Sequence, residues 1–537
     1  MSQSSGDSAR PPALKRSRYS LDLEDYGERP ESPEHGDVLP DVPKPRNSTS
    51  SRFPAESLPY GPKEYSEIFD WNHDVISRLL EKCGPCRPQA TSSPLSVELT
   101  TSFSGLGAAE FAATAVQSAM HARGIPVDIK LHSQTEVDKQ CRPFLKGQHV
   151  FSDVQDRVGD KVVKSLASLQ ARYVTLFENA KEKLDSKDSR QIHQLVEKYG
   201  LLFLQAAIKC MDRNRDSFKA SAECLKCGHQ CPWAPVVNHG HRLWVEVAGH
   251  PCTPWSKRGR QLGFLDPESI SALVWAFSLR LAPPPDCIVN ENVGSFPAEV
   301  FFSSMFPGCR LEMAVFSPCD LGIPTHRPRR YSLVWPNPMS ATCEAAAFDV
   351  NILGEVCFRR LHLHGSVYLQ SPEDEVIALL DGLAAARGLE PRGQQGKSYS
   401  CKHVLATGHR LRMMKHREKL EQDEHTDFDF NVDCAQDIGF TGAMRVMPTL
   451  VKNSNIYNLR ADRLYTVQEL MSVQGFPVHR SDSRTHPCMP DEQTMQHIIT
   501  MGKKYSKTVL GNTMCLCQVG TALAIVFMAA ARANRSE

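Results

Sequence analysis

At 537 residues the chain is too long for one ordinary domain, and length alone predicts roughly two to four. Its 41% hydrophobic and 23% charged residues are those of a folded globular protein, which excludes a wholly disordered or fibrous chain. Lys and Arg total 62 against 61 Asp and Glu, so any nucleic-acid surface must be a local patch, not a property of the net charge of +1.

Eighteen cysteines spread along the chain, behind an N-terminus that is polar and basic, predict reduced thiols in a cytosolic or nuclear compartment. Residues 1–60 are rich in Pro, Ser and charge and predict a disordered tail. Within it Lys15, Arg16 and Arg18 read equally as a nuclear-import signal or as solvated charge. Residues 61–94 are a helical lead-in. From about 95 the pattern changes to short β-rich runs at 97–103, 129–137, 243–248, 287–290, 311–316 and 331–335, alternating with helical stretches. That alternation predicts an α/β fold, a doubly wound, mostly parallel sheet, with ligands at the carboxyl ends of its strands.

Two stretches break the rhythm. Residues 155–242 open with long helical patterns at 162–183 and 192–211 and end in a Cys/His-rich loop, so they form an insertion in a core spanning 95–336. Residues 337–455 mix a helix with irregular basic sequence. There Ser371 is expected as an N-cap with Pro372 at the first helical position, and Gly388 as the stop. The core resumes at 456–537, where the apolar run 519–531 is too short to span a bilayer and predicts a buried helix.

The chemistry-bearing residues follow the strands. Phe103-Ser104-Gly105-Leu106-Gly107 fits a nucleotide-binding loop and an ordinary tight strand–helix turn about equally. Glu136, beside Val137, ends the second strand, and Asp153 with Val154 follows a third, short run. Pro251-Cys252-Thr253-Pro254-Trp255-Ser256 places a cysteine in a rigid turn after an apolar strand, as a nucleophile would be placed, whereas a lone Cys is usually an inert buried residue. Downstream, Asn290-Glu291-Asn292-Val293 brings a carboxyl to the same sheet edge, and Arg327 and Arg329 bring guanidiniums.

This order, continued by Gln474-Gly475-Phe476-Pro477 after Arg463, Thr466 and Glu469, and by Gly511-Asn512-Thr513-Met514, resembles the cytosine-C5 DNA methyltransferase family. The resemblance covers about 95–154, 243–335 and 456–535. It implies the class I S-adenosylmethionine-dependent methyltransferase fold with a smaller target-recognition domain at 337–455. It implies S-adenosyl-L-methionine as cofactor, with Phe103 against the adenine and the Ser104–Gly105–Gly107 loop around the methionine part. Glu136 and Val137 would meet the ribose side, Asp153 and Val154 the adenine, and Pro251, Asn512 and Met514 the rest of the pocket. Cys252 would attack C6 of cytosine, Glu291 would act at N3, and Arg327 and Arg329 would orient the base. The target base must then be flipped out of the duplex. Double-stranded DNA is the implied partner, in the nucleus, with no membrane association.

Three positions depart from the family pattern: Thr101 replaces an acidic residue, Thr325 a Gln and Ser472 an Arg. Transfer RNA is the alternative substrate, although Thr253-Pro254-Trp255 and the long 337–455 region argue against it. A catalytically silent chromatin-binding module is the other alternative, although Cys252 and Glu291 are both present. Outside the resemblance, Cys224, Cys227 and Cys231 with His239, followed by His241, have zinc-ligand chemistry and suggest a structural zinc, with a reduced Cys-rich loop as the plainer reading. Cys83 and Cys86 form a second CxxC without a thioredoxin-like context. Six Lys/Arg within 401–420 suit phosphate contacts or a solvated helix face.

Overall fold

Alternation along the central strands sets the architecture of the computed structural model. It describes residues 55–83, 94–184, 188–236, 242–340, 348–391, 401–438, 441–479, 486–500 and 503–533. The chain divides into two units, Met1–Asn47 and Ser48–Glu537, and every described residue belongs to the second. The basic cluster at 15–18, the tail as far as residue 54, Cys86, His239 and His241 lie outside the described residues.

Seven strands form the main sheet: β1 (Leu95–Ser102), β2 (Val127–Thr135), β3 (His149–Phe151), β6 (Arg242–Ala248), β7 (Cys287–Asn292), β8 (Arg310–Phe316) and β9 (Arg329–Trp335). Their spatial order is β3-β2-β1-β6-β7-β9-β8, parallel throughout except β9, which runs antiparallel to both neighbours. Successive side chains point to opposite faces, and both faces are apolar. Val245, Val247, Val289 and Leu333 enter one core, while Trp244, Ala248, Ile288 and Val334 enter the other. Such a sheet must be covered on both sides.

On the first face lie α1 (Trp71–Cys83), α2 (Ala108–His121) and the helix Leu516–Ala533, which packs against both. This last helix is apolar enough to cross a membrane by composition, but its apolar window is wholly buried within the fold, as the sequence predicts. Gly520 is required there, because any Cβ would overlap the indole of Trp71. On the second face lie α5 (Ser269–Leu281), α6 (Ala298–Met305) and the paired long helices α3 (Asp160–Glu182) and α4 (Ser189–Arg213) of the insertion. The insertion's Cys-rich end is no irregular loop but a hairpin of β4 (Ser221–Glu223) and β5 (Gln230–Pro232).

A smaller sheet, β10 (Asn431–Asp433), β11 (Ile456–Asn458) and β12 (Arg463–Leu464), has its own core with the helices Glu373–Ala385 and Thr407–Gln422. Its last two strands come from residues that the sequence reading gives to the main core; three-residue strands have too little pattern to read. Gly388 does follow the helix Glu373–Ala385, in a left-handed conformation (φ 66°). Ser371 is not its N-cap: Pro372 holds that position without a side-chain cap, and Ser371 instead bonds to Thr466 (2.7 Å) and Glu469 (2.9 Å). Residues 59–61 of the tail and lead-in also pair with Arg360.

Candidate active site at the carboxyl edge of the sheet

The strand order reverses beside β1, and the loops after β1, β2, β6 and β7 open at the same edge, where such sheets bind ligands. After β1 the backbone turns sharply. Phe103, Gly105 and Gly107 all adopt left-handed φ (59°, 56° and 78°), costly for Phe103, and a Cβ on Gly105 would meet only open space. Glu136 ties this loop to β2 by accepting from the N–H of Gly105 (2.7 Å) and of Asp138 (2.7 Å). Burial raises its carboxyl above the usual range, and those two N–H groups oppose the rise. Ser104 bonds to Thr101 (2.7 Å) and its N–H to the Thr135 carbonyl (3.1 Å). Val137 next door is 63% exposed, a large apolar group at the mouth of the cleft. Asp153 accepts from the N–H of Gln155 (2.9 Å), burial raises its carboxyl, and Val154 is buried behind it.

An acid does stand beneath the loop, although residue 101 is Thr. Glu110, in the first turn of α2, accepts from the Thr101 hydroxyl and from Gln134. Burial raises its carboxyl, and its second oxygen, Oε2, is buried without a hydrogen bond and faces Gly107. Sequence reading overlooked this residue because it lies on the helix and not on the strand.

Cys252 is held in a tight turn whose carbonyl accepts from the N–H groups of Trp255 (3.0 Å) and Ser256 (2.8 Å). The turn is anchored in an aromatic cluster, with Trp255 and His250 packed on Phe296 at 4.8 and 4.6 Å. The asparagines either side of Glu291 secure the same loop: Asn290 donates to the Ala248 carbonyl (3.1 Å) and Asn292 to that of His250 (3.2 Å). Full burial lowers His250 to about 3, so it is a neutral packing group. Glu291 pairs with Arg329 (3.0 Å) and lies against Gly249, where a Cβ would reach its Oε2 at 3.4 Å and Met514 at 2.5 Å. Burial pushes the Cys252 thiol up; Arg329 draws it down, Glu291 pushes it up and Arg327 draws it down. The thiol therefore lies within electrostatic reach of the Glu291–Arg329 pair and of Arg327.

Arg327 is placed differently from Arg329. It is buried and donates to the carbonyls of Leu450 (3.1 Å), Thr513 (2.9 Å) and Gly511 (3.4 Å), so it joins the strand-end turn to two distant segments. Residues 447–450 return to the core beside it, where Met447 exchanges backbone bonds with Pro324 (2.9 Å) and His326 (2.8 Å). Asn512 is exposed at the end of the helix Lys503–Asn512. The other departures have local partners: the Thr325 hydroxyl meets Tyr368 (3.2 Å) and Ser472 meets Tyr65 (2.9 Å). Thr466 and Glu469 form a capping box that Arg463 grips with both nitrogens (2.6 and 3.0 Å). Arg157, also unforeseen, is buried and clamps Ser102 and Thr135 (3.0 Å each) at the ends of β1 and β2.

The chain matches no protein-family model and no curated protein. Among solved structures it is similar to the Entamoeba histolytica methyltransferase EhMeth (13% identity, 81% of this chain and 98% of that one, TM-score 0.36). It is also similar to the S. pombe Dnmt2 methyltransferase (11%, 81% and 98%, TM-score 0.36). A third is a putative DNA modification methyltransferase from an E. coli prophage (12%, 80% and 99%, TM-score 0.39). The strand order itself, with one antiparallel strand second from the β8 edge, is that of the class I S-adenosylmethionine-dependent methyltransferase fold.

Proposed function

We propose that the chain transfers a methyl group from S-adenosyl-L-methionine to C5 of cytosine in DNA, through a transient bond between Cys252 and C6. One observation carries the reading: adjacent parallel strands β1, β6 and β7 bring the glycine loop, Cys252 and the Glu291–Arg329 pair to one edge of the sheet, with the pair acting electrostatically on the thiol. The cleft residues suit a nucleoside: a Gly105 Cβ would meet only open space, the Glu136 carboxylate accepts from the Gly105 N–H, Asp153 ends the turn after the neighbouring strand, and Val137 offers exposed apolar surface. Bound there, the sulfonium cofactor supplies an electrophilic methyl group. Cytosine C5 is too weak a nucleophile to take it unaided, so Cys252 adds to C6 and makes C5 enamine-like. Glu291, positioned by Arg329, delivers a proton to N3 as negative charge builds on the ring. Loss of the C5 proton then expels the thiol. Arg327 supports this geometry through the carbonyls it gathers and adds positive field at the sulfur.

DNA is favoured over RNA by the Thr253-Pro254-Trp255 sequence after the nucleophile and by the length of the 337–455 region, and in a eukaryotic cell a DNA substrate implies the nucleus. The test incubates full-length protein with labelled S-adenosylmethionine and either duplex DNA or transfer RNA. Label is expected in DNA, none with Cys252→Ala, and a covalent adduct on 5-fluorocytosine DNA. Label retained by the alanine variant overturns the nucleophile, and label confined to RNA overturns the substrate.

A further inference from the structure

We propose that Cys224, Cys227, Cys231 and His149 bind one structural zinc ion that clamps the insertion's hairpin onto the edge strand of the main sheet. The sequence points to His239 as the fourth ligand, and it lies outside the described residues; the fold brings His149 of β3 to the cysteines. One imidazole nitrogen of His149 and the sulfurs of Cys224 and Cys231 lie within 4.8 Å of one another, the one such group among the described residues. The Cys227 sulfur is 3.4 Å from that of Cys231. That is far beyond the ~2.05 Å of a disulfide and near the roughly 3.8 Å edge of a tetrahedron with Zn–S bonds of about 2.3 Å.

The turn presents its sulfurs together. Gly228, left-handed at φ 71°, donates its N–H to the Cys224 carbonyl (2.8 Å), and the Cys224 N–H donates to the His229 carbonyl (2.9 Å). Two further observations point to a ligand. Nδ1 of His149 is buried without a hydrogen bond, and Cys224 is wholly buried. A hairpin of two three-residue strands is marginal on its own and needs a staple. Three thiolates and an imidazole are a closed, soft donor set that suits zinc and not magnesium or calcium.

The clamp bears on the cofactor side of the cleft. Leu225 of the turn donates its N–H to the Val150 carbonyl (2.7 Å), Lys226 donates to the Gly147 carbonyl (2.5 Å), and Ser133 of β2 donates to the Trp233 carbonyl (2.7 Å). Val150 lies in the strand that leads to Asp153 and Val154. The ion thus fixes that strand through His149 at its start and the turn at its side.

Metal analysis of the full chain, purified without chelators, is expected to give about one zinc per chain, and cobalt exchange the absorption of a tetrahedral thiolate site. His149→Ala should release zinc to a competing chelator roughly tenfold faster or more, His149→Cys should restore retention, and His239→Ala and His241→Ala should leave it unchanged. Should His149→Ala misfold, Cys227→Ser, at an exposed position, carries the test: native circular dichroism with zinc lost supports the site. No zinc in the wild type, unchanged release from His149→Ala, or loss from His239→Ala alone overturns the proposal. Methyl-transfer activity does not enter these readouts, so the two readings fail separately.

Discussion

Cys252 sits among groups that pull its ionisation in opposite directions, so the proposed nucleophile and the proposed proton donor can be tested separately. Glu291→Gln removes an influence that raises the thiol, so its ionisation should move to lower pH and alkylation by iodoacetamide near pH 8 should speed up several-fold, while methyl transfer falls by about 10²-fold or more. Arg329→Ala removes an influence that lowers the thiol, so alkylation should shift to higher pH and slow. Alkylation–pH profiles of the three proteins check both signs; shifts in the same direction for both variants refute the arrangement. At this scale Cys252 and Glu136 were legible, because a motif ties each to the turn just past its strand, whereas Glu291, expected after its strand, lies inside β7 and pairs with Tyr331 across to β9. Glu110, Arg157 and His149 were not, since each takes its role from a neighbour on another element. Arg327 shows the limit from the other side: the motif located it, yet its side chain faces the carbonyls of Leu450, Gly511 and Thr513.

Elements were read more securely than their ends. The strand expected at 97–103 is Leu95–Ser102, because Phe103 already turns left-handed, and the one expected at 129–137 is Val127–Thr135. The helix read at 519–531 is Leu516–Ala533, and Gly520, which looked like a break in its apolar run, is the place where Trp71 approaches. Gly520→Ala sets two effects against each other. Helix propensity favours Ala by about 1 kcal/mol, while overpacking against the indole costs about 1–3 kcal/mol and here displaces a buried ring. Because the overlap is with ring atoms, the cost is taken at about 2–3 kcal/mol, and a net loss of about 1–2 kcal/mol is expected in denaturant unfolding; equal or greater stability of the variant refutes the packing account. The small sheet was missed because its strands, at two or three residues, are set by the Asn431 and Asp433 hydrogen bonds and not by hydrophobic alternation.

Across the whole molecule, the basic segment 401–420 beside the small sheet carries charges that are unequally free. Arg412 pairs with Asp437 (2.7 Å), Lys402 with Asp462 (3.7 Å), and Arg417 donates to the Leu459 carbonyl (3.0 Å). Arg410, Lys415 and Lys419 are exposed and form no ion pair among the described residues. If these three meet phosphates, replacing all three with Ala should weaken DNA binding equally for all sequences. The log–log salt dependence should flatten by about 0.9 in slope for each phosphate no longer neutralised. An unchanged slope assigns the helix to solvent. Cys252→Ala, by contrast, should leave that slope intact.

The helix Leu516–Ala533 also imposes an order on biosynthesis. It covers α1 and α2, which leave the ribosome several hundred residues earlier. At roughly 5–20 residues per second, the Trp71 face waits about 20–90 s for its cover. During that interval the nascent chain carries an open greasy groove, and a chaperone that shields it until termination would raise the yield of native protein.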